Sequence, residues 1–303
     1  MTDPAPASTD ASASTDSADG TPARKQETWV DTLKFIVWLV LIVVVVRSFI
    51  FSPFNIPSQS MLPRLLIGDY LFVSKFSYGF SRHSLPFSLP LLPNMHWSDP
   101  TRGDVVVFKA PGHDGEDWIN RVIGLPGDTI QVTDGQVILN GKAIPKERIA
   151  DFALPNSPNF PGAIRNAMPP EHGCKPDFQK YDAQDKPVLC QIPRFRETLP
   201  NGKQYEVLDQ GTQPCIQPEI RVCADNTGVY TVPAGHVFLM GDNRDDSADS
   251  RFPIEQGGIS FVPMENIEGK AQVSFWSTDG SASWFLPWTW FTAARWSRIG
   301  GGF

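Results

Sequence analysis

The sequence has no run of basic residues, no HExxH motif and no CxxC pair, and each absence removes a class of function. Lys and Arg number 26 against 33 Asp and Glu, a formal net charge of -7 over 303 residues. The sequence-independent attraction on which nucleic-acid binding draws is therefore missing, and no nucleic-acid partner is expected. The five histidines, His83, His96, His113, His172 and His236, are scattered. Without paired ligand spacings, no metal site and no cofactor is expected. Alternation of strand-like and helix-like segments is also missing, which argues against a parallel α/β fold. Glycine (24) and proline (28) are plentiful but follow no strict period, which leaves a loop-rich, mainly β protein.

Large apolar side chains are nearly missing from residues 1–28, a Ser-, Thr-, Ala-, Asp- and Pro-rich stretch. Ordering it would cost entropy that no burial offsets, so it reads as a disordered tail. Charge is then missing from residues 35–46, the heart of the run LKFIVWLVLIVVVVRSFIF at 33–51. At ~1.5 Å per residue that run spans roughly 28 Å as a helix, close to the hydrocarbon thickness of a bilayer. Lys34 and Arg47 stand near its ends, where long side chains snorkel to the interfaces. A buried core helix or a cleaved signal are the competing readings, but residues 48–57 offer no small-x-small cleavage site. An uncleaved anchor over residues 29–52 is expected, followed by an outside domain over 53–303. Arg24, Lys25 and Lys34 precede the uncharged heart, against Arg47 and Arg64 after it, and lean toward a cytoplasmic N-terminus.

Cysteine is scarce and clustered: Cys174, Cys190, Cys215 and Cys223 all fall in one Pro-rich stretch. An even, clustered number without CxxC pairs reads as disulfides in an oxidising compartment rather than a zinc site. Three connectivities are open, and the short 215–223 segment reads as a pinned hairpin that leaves Cys174 with Cys190. This stretch, about 150–226, is expected to be an irregular, disulfide-bearing β insertion.

Residues 71–76, 102–110, 128–144, 228–242 and 269–277 are rich in β-branched and aromatic residues between Gly, Pro and Asp, and read as strands. Asp134-Gly135 and Asn140-Gly141 supply the positive φ of type I′ turns, so 128–144 is expected to form a three-stranded meander. The C-terminus concentrates Trp276, Trp284, Trp288, Trp290 and Trp296. Pro287 and the short apolar run exclude a second span, and contact with a lipid interface is favoured over internal packing.

Four segments carry the candidate chemistry: PSQSM at 57–61, RGDVVVF at 102–108, WINRVIGLPGD at 118–128 and GDNRDDSADSR at 241–251. Taken alone, a serine between prolines is most often a polar loop. Together, and with SRIGG at 297–301, these segments resemble the boxes of the bacterial type I signal peptidases, in the same order and at similar spacing. The resemblance covers most of residues 47–301. It implies the mostly antiparallel β peptidase fold shared with the self-cleaving repressor LexA, with one N-terminal transmembrane helix. It also implies a membrane-anchored serine endopeptidase that removes signal peptides from exported pre-proteins. The substrates would carry small residues at the first and third positions before the cut. The partners would be such pre-proteins, the lipid bilayer and the secretion translocon, at the bacterial inner membrane with the catalytic domain in the periplasm.

Position by position, the resemblance makes Ser60 the nucleophile. Ser58 and the Ser60 N–H become the oxyanion hole, Ser247 the serine that orients the base, and Asp249 with Arg251 a structural ion pair; a polar turn is the plainer reading of Asp242, Asp245 and Asp246. Arg121 matches the family's arginine. Asn120 breaks the pattern, because the family carries its general-base lysine there. An asparagine cannot take the serine's proton, although its amide can accept a hydrogen bond from Ser60. Arg121 stays protonated and is no substitute, and nothing in the spacing brings Lys75 or Lys109 to Ser60. An altered inactive form, a natural non-catalytic homologue that binds signal peptides without cutting them, and an enzyme with a replaced base are the readings left open, with impaired activity favoured. A structural envelope protein without a peptide groove is the remaining alternative.

Overall fold

The computed structural model describes residues 28–80, 95–155, 157–160, 176–184, 187–211, 224–283 and 285–303. The chain forms two compact units, Met1–Ile42 and Val43–Phe303. Helix α1 (Trp29–Phe49) begins in the first unit and ends in the second. At its start the Asp31 carboxylate accepts from the backbone N–H of Thr28 (3.1 Å) and from its hydroxyl (2.7 Å). This satisfies a donor that a helix N-terminus would otherwise leave open. Residues 29–47 are exposed, and α1 is long and apolar enough to cross a membrane.

The apolar run at 33–51 reads as one helix to Phe51, but the helix stops at Phe49. There the Ser52 hydroxyl donates to the Arg47 carbonyl at 2.6 Å and occupies one of the open carbonyls of the last turn. Residues 51–55 then turn into a strand whose partner lies about twenty residues downstream, a pairing that hydrophobicity alone does not encode.

The strands, in chain order, are β1 (Phe51–Asn55), β2 (Asp69–Ser74), β3 (Gly79–Phe80), β4 (Met95–His96), β5 (Val105–Lys109), β6 (Asp117–Gly124), β7 (Thr129–Thr133), β8 (Gln136–Leu139) and β9 (Lys142–Ala143). They continue with β10 (Lys146–Pro155), β11 (Gln179–Tyr181), β12 (Pro187–Thr198), β13 (Gln204–Leu208), β14 (Tyr230–Thr231), β15 (His236–Met240), β16 (Val262–Pro263) and β17 (Ile267–Ser277). Seven form one sheet in the order β1-β2-β17-β5-β6-β15-β16, and all its pairs are antiparallel. The fold is thus mainly antiparallel β.

The meander is present as β7-β8-β9, which β14 extends. Its turns place Asp134, Gly135, Asn140 and Gly141 at φ of 49°, 71°, 52° and 73°, the left-handed values that Asp, Asn and Gly tolerate. Residues 146–208 contain a second antiparallel sheet, β10-β12-β11, with β13 paired to β12. Cys190, on β12, is fully buried, and among the described residues no cysteine is free. Cys174, Cys215 and Cys223 lie outside the described residues, as does the expected pairing.

Apolar side chains from the sheet faces fill the core. Phe108, Val122, Val237 and Leu239 pack on one side, and Ile56, Met61, Leu65, Leu71 and Val73 on the other. Each such buried side chain contributes roughly 1.5–3 kcal/mol relative to exposure. Of the C-terminal tryptophans, Trp288, Trp290 and Trp296 are exposed beside Phe285 and Phe291. Trp276 meets Trp296 edge-on at 5.9 Å, and Trp284 lies outside the described residues.

Candidate active site

Ser60 sits in the loop between β1 and β2, and the sequence around it explains its position. Met61, Leu62 and Leu65 are buried to 1% or less, so the apolar half of PSQSMLPRLL anchors the loop in the core while Ser58 and Ser60 face outward. A helical turn, closed by Leu62 N–H to the Gln59 carbonyl (3.0 Å) and Leu65 N–H to the Met61 carbonyl (2.9 Å), holds the segment. The Ser60 hydroxyl lies 3.3 Å from that of Ser58.

The GDN segment after β15 grips this loop from behind. Asn243 donates its backbone N–H to the Ser60 carbonyl (2.9 Å) and its side-chain amide to the Gln59 carbonyl (3.2 Å). Gly241 is required by space: a Cβ there would fall 2.3 Å from the Ser247 Oγ and 2.6 Å from the Ser60 carbonyl. Both serines therefore rest against the same glycine.

β6 supplies the third part. In register with β5, Asn120 lies opposite Val106 and Arg121 opposite Val105. Side chains alternate across a strand, so neighbours 120 and 121 leave on opposite faces. Asn120 lines a cavity of about 760 Å³ together with Ser58, Ser60, Ser247, Ile56 and Val107. Arg121 instead turns away into a buried bidentate pair with Asp242 (2.7 and 2.6 Å) and donates to the Gly103 carbonyl (2.8 Å). Burial works to lower its pKa, but Asp242 outweighs that and raises it. The guanidinium stays charged and takes no part in proton transfer at the cavity.

Asp242, read from sequence as a polar turn residue, is instead 1% exposed and paired. A buried carboxylate without that guanidinium would be costly. Asp249 and Arg251 form a fully buried pair (2.8 Å), and Asp249 also accepts the Gly241 N–H at 3.0 Å. A third buried pair, Arg244 with Glu197 of β12, ties the GDN segment to the second sheet (2.9 and 2.5 Å). Burial opposes the Arg244 charge, but Glu197 more than offsets it and the pKa rises. The sequence reading missed this pair; its only signal is two opposite charges in apolar contexts, with nothing to match them across 47 positions.

Against these ion pairs stand three neutral atoms that are buried with no hydrogen-bond partner: the Asn120 side-chain nitrogen, the Ser247 hydroxyl and the Asn243 side-chain oxygen. Of these residues, Asn120 and Ser247 line the Ser60 cavity. The expectation that the Asn120 amide could engage Ser60 meets a different geometry, in which Ser60 turns its hydroxyl to Ser58. The two lysines considered as substitute bases are occupied elsewhere. Lys75 forms a buried pair with Glu268. Lys109 pairs with Asp117 (2.6 Å) and Glu268 (3.4 Å); burial would lower its pKa, but these carboxylates raise it. Among the described residues, no group of His, Cys, Asp and Glu is arranged to hold a metal. Chemically, the arrangement presents a serine hydroxyl in a largely apolar cleft, with the Ser58 hydroxyl beside it, Asn120 on the facing strand and the carboxylates of Glu116, Asp117, Asp245 and Asp246 farther along the lining.

The profile of the family described as signal peptidase, peptidase S26 matches residues 29–276. The signal peptidase I of Rickettsia typhi is 35% identical over 244 residues, covering 80% of this chain and 78% of the relative. That of Rickettsia canadensis is 34% identical over 265 residues, covering 85% and 84%. A crystal structure of a signal peptidase I from Enterococcus faecalis, 21% identical, covers 57% of this chain and 97% of that one with a TM-score of 0.26. The chain belongs to the signal peptidase family, peptidase S26.

Proposed function

We propose that this chain is a membrane-anchored signal peptidase of serine type whose cutting step is impaired at position 120. α1 serves as a single inner-membrane anchor over residues 29–52, preceded by a cytoplasmic tail (1–28), and the remainder (53–303) is a periplasmic peptidase domain. The insertion at 150–226 carries disulfides; that none of the described cysteines is free supports this reading. The exposed Trp288 and Trp296 meet the bilayer, and the translocon hands over the substrate.

Ser60 attacks the scissile carbonyl to form an acyl-enzyme, and Ser58 with the Ser60 N–H stabilises the developing oxyanion. Ser247 orients the group at position 120, and Asp249, Arg251 and Arg121 hold the frame. An extended signal peptide pairs along a strand edge of the cleft, with small side chains at the first and third positions before the cut in shallow pockets. The observation that carries the reading of impairment is the pair of unpartnered buried atoms on Asn120 and Ser247 beside Ser60. A serine hydroxyl needs its proton removed as it attacks, and the amide at position 120 cannot remove it. The same observation favours the second reading, a homologue that binds signal peptides without cutting them. Comparing pre-protein binding and cleavage by this chain and by Asn120→Lys separates the two. Cleavage restored by the lysine supports an impaired peptidase, and binding with no cleavage from either form supports the binding protein.

A further inference from the structure

A second, smaller cavity of about 230 Å³ is lined by Arg64, Arg121, Arg196, Lys203, the Glu206 carboxylate and the Phe303 ring, among others. Its charges do not balance. Arg121 is fully used by Asp242 and the Gly103 carbonyl. Lys203 reaches Asp104 at only 3.4 Å, and the same carboxylate oxygen is already taken by Lys270 at 2.8 Å. The other oxygen of Asp104 accepts from Tyr78 and from the Thr101 N–H. Arg196 stands 3.9 Å from Glu206, which Arg194 holds at 3.0 Å. Arg64 has no ion pair among the described residues; its guanidinium lies 5.5 Å from the Phe303 ring. Three cations thus converge on one cavity, each the weaker claimant on a shared carboxylate or without one.

Burial and the neighbouring Arg121 and Arg298 lower the Arg64 pKa, and burial also lowers that of Lys203 despite Asp104. Burial and the nearby Arg121 thus disfavour the charge on both Arg64 and Lys203, and an anion in the cavity would offset that. Guanidinium and ammonium donors suit the several oxygens of a phosphate, and the Arg64 guanidinium lies over the Phe303 ring, an attraction of cation and π face.

We propose that Arg64, Arg196 and Lys203 form a binding site for a phosphate-class oxyanion, distinct from the peptide cleft, with which it shares no lining residue. The phosphate could come from a free anion or from an anionic lipid headgroup. The test is isothermal titration of the full chain in neutral detergent with inorganic phosphate, with chloride at matched ionic strength as the control. Saturable binding of phosphate, absent with chloride and weakened about 10-fold or more in Arg64→Gln/Lys203→Gln, is the expected result. Both positions are solvent-accessible, and Arg64→Lys, which keeps the charge, should retain most of the binding. Nanodiscs distinguish the sources. Phosphate binding kept in phosphatidylcholine discs but lost when phosphatidylglycerol is included assigns the site to a headgroup, whereas binding kept in both assigns it to the free anion. No saturable binding in any arm, or equal binding by the double variant, overturns the proposal.

Discussion

The buried polar side chains around Ser60 set a frame of paired charges against unpartnered neutral groups, two of which, on Asn120 and Ser247, belong to residues that line its cavity. In the frame, Asp249 with Arg251, Asp242 with Arg121 and Glu197 with Arg244 each join full charges at hydrogen-bond distance, with side chains 3% exposed or less. In the pair, the Asn120 nitrogen and the Ser247 hydroxyl face the same cavity and bond to nothing. The contrast shows what the fold needs and what the chemistry needs. Charges buried in the frame must be matched for the chain to fold, so that part is complete. Unpartnered neutral groups cost a folded protein only a few kcal/mol, so the fold tolerates an asparagine at position 120. A lysine at position 120 would bring a group with three donors to a place where a serine oxygen stands without one.

The largest effect expected is at Ser60. In the Asn120→Lys background, Ser60→Ala should lower pre-protein cleavage by about 10⁴-fold or more, since nucleophile and base act as a unit. A gel assay of pre-protein conversion reads this directly, and residual turnover near the parent level would remove Ser60 from the chemistry. Next comes the frame: Asp249→Ala strands a buried guanidinium and should cost about 3–5 kcal/mol in urea unfolding. A loss below about 1 kcal/mol, the range of an exposed pair, would show that the frame is not saturated by that pair.

Ser247→Ala sharpens the contrast because its two sides should diverge. In the chain as it stands the hydroxyl has no partner, so its removal should change stability by no more than about 1 kcal/mol. In the Asn120→Lys background the same substitution should slow cleavage about 10-fold or more, as a base loses the group that orients it. Equal effects in the two backgrounds would separate Ser247 from position 120.

The smallest effect is on acid stability. Burial alone would raise the Asp104 and Asp209 carboxyl pKa values, but Lys270 and Lys146 respectively, with backbone donors, hold both below the ordinary carboxylate value. A pKa lower in the folded than in the unfolded chain gives stability that is complete above the unfolded value, near 3.9, and is lost as pH falls through the folded one. Asp209→Asn should therefore flatten the fall of unfolding free energy below about pH 4. An unchanged slope would show that other carboxylates carry it.

Much of this was legible in the sequence where the determinants are local. The meander follows from Asp134-Gly135 and Asn140-Gly141, because the turn conformation is set by those residues themselves. The helix follows from an apolar run whose length matches a bilayer, and the place of Ser60 from the change between polar and apolar residues on either side of it. Long-range pairing was not legible. Asp242 looks like any turn aspartate until β6 delivers Arg121 to it from 121 positions away. The sheet β10-β12-β11 is hidden in a Pro-rich stretch, and Glu197 gives no local sign that it will meet Arg244. The same limit applies at position 120: the sequence shows an asparagine in place of a lysine, but only the folded chain shows that its nitrogen and the Ser247 hydroxyl both go unpaired.

The central claim, a complete frame around a site without its base, is tested most directly by the cleavage rate of one pre-protein by the full chain and by Asn120→Lys, across pH and at matched binding. Positioned general bases contribute about 10²–10⁴ in rate. The lysine form should therefore be faster by at least that factor and lose rate as acid protonates its amine, while both forms bind the pre-protein alike. Equal rates, or an unmodified chain with the same acid limb, would mean that another residue supplies the base and that the unpaired atoms at Asn120 and Ser247 have no bearing on the reaction.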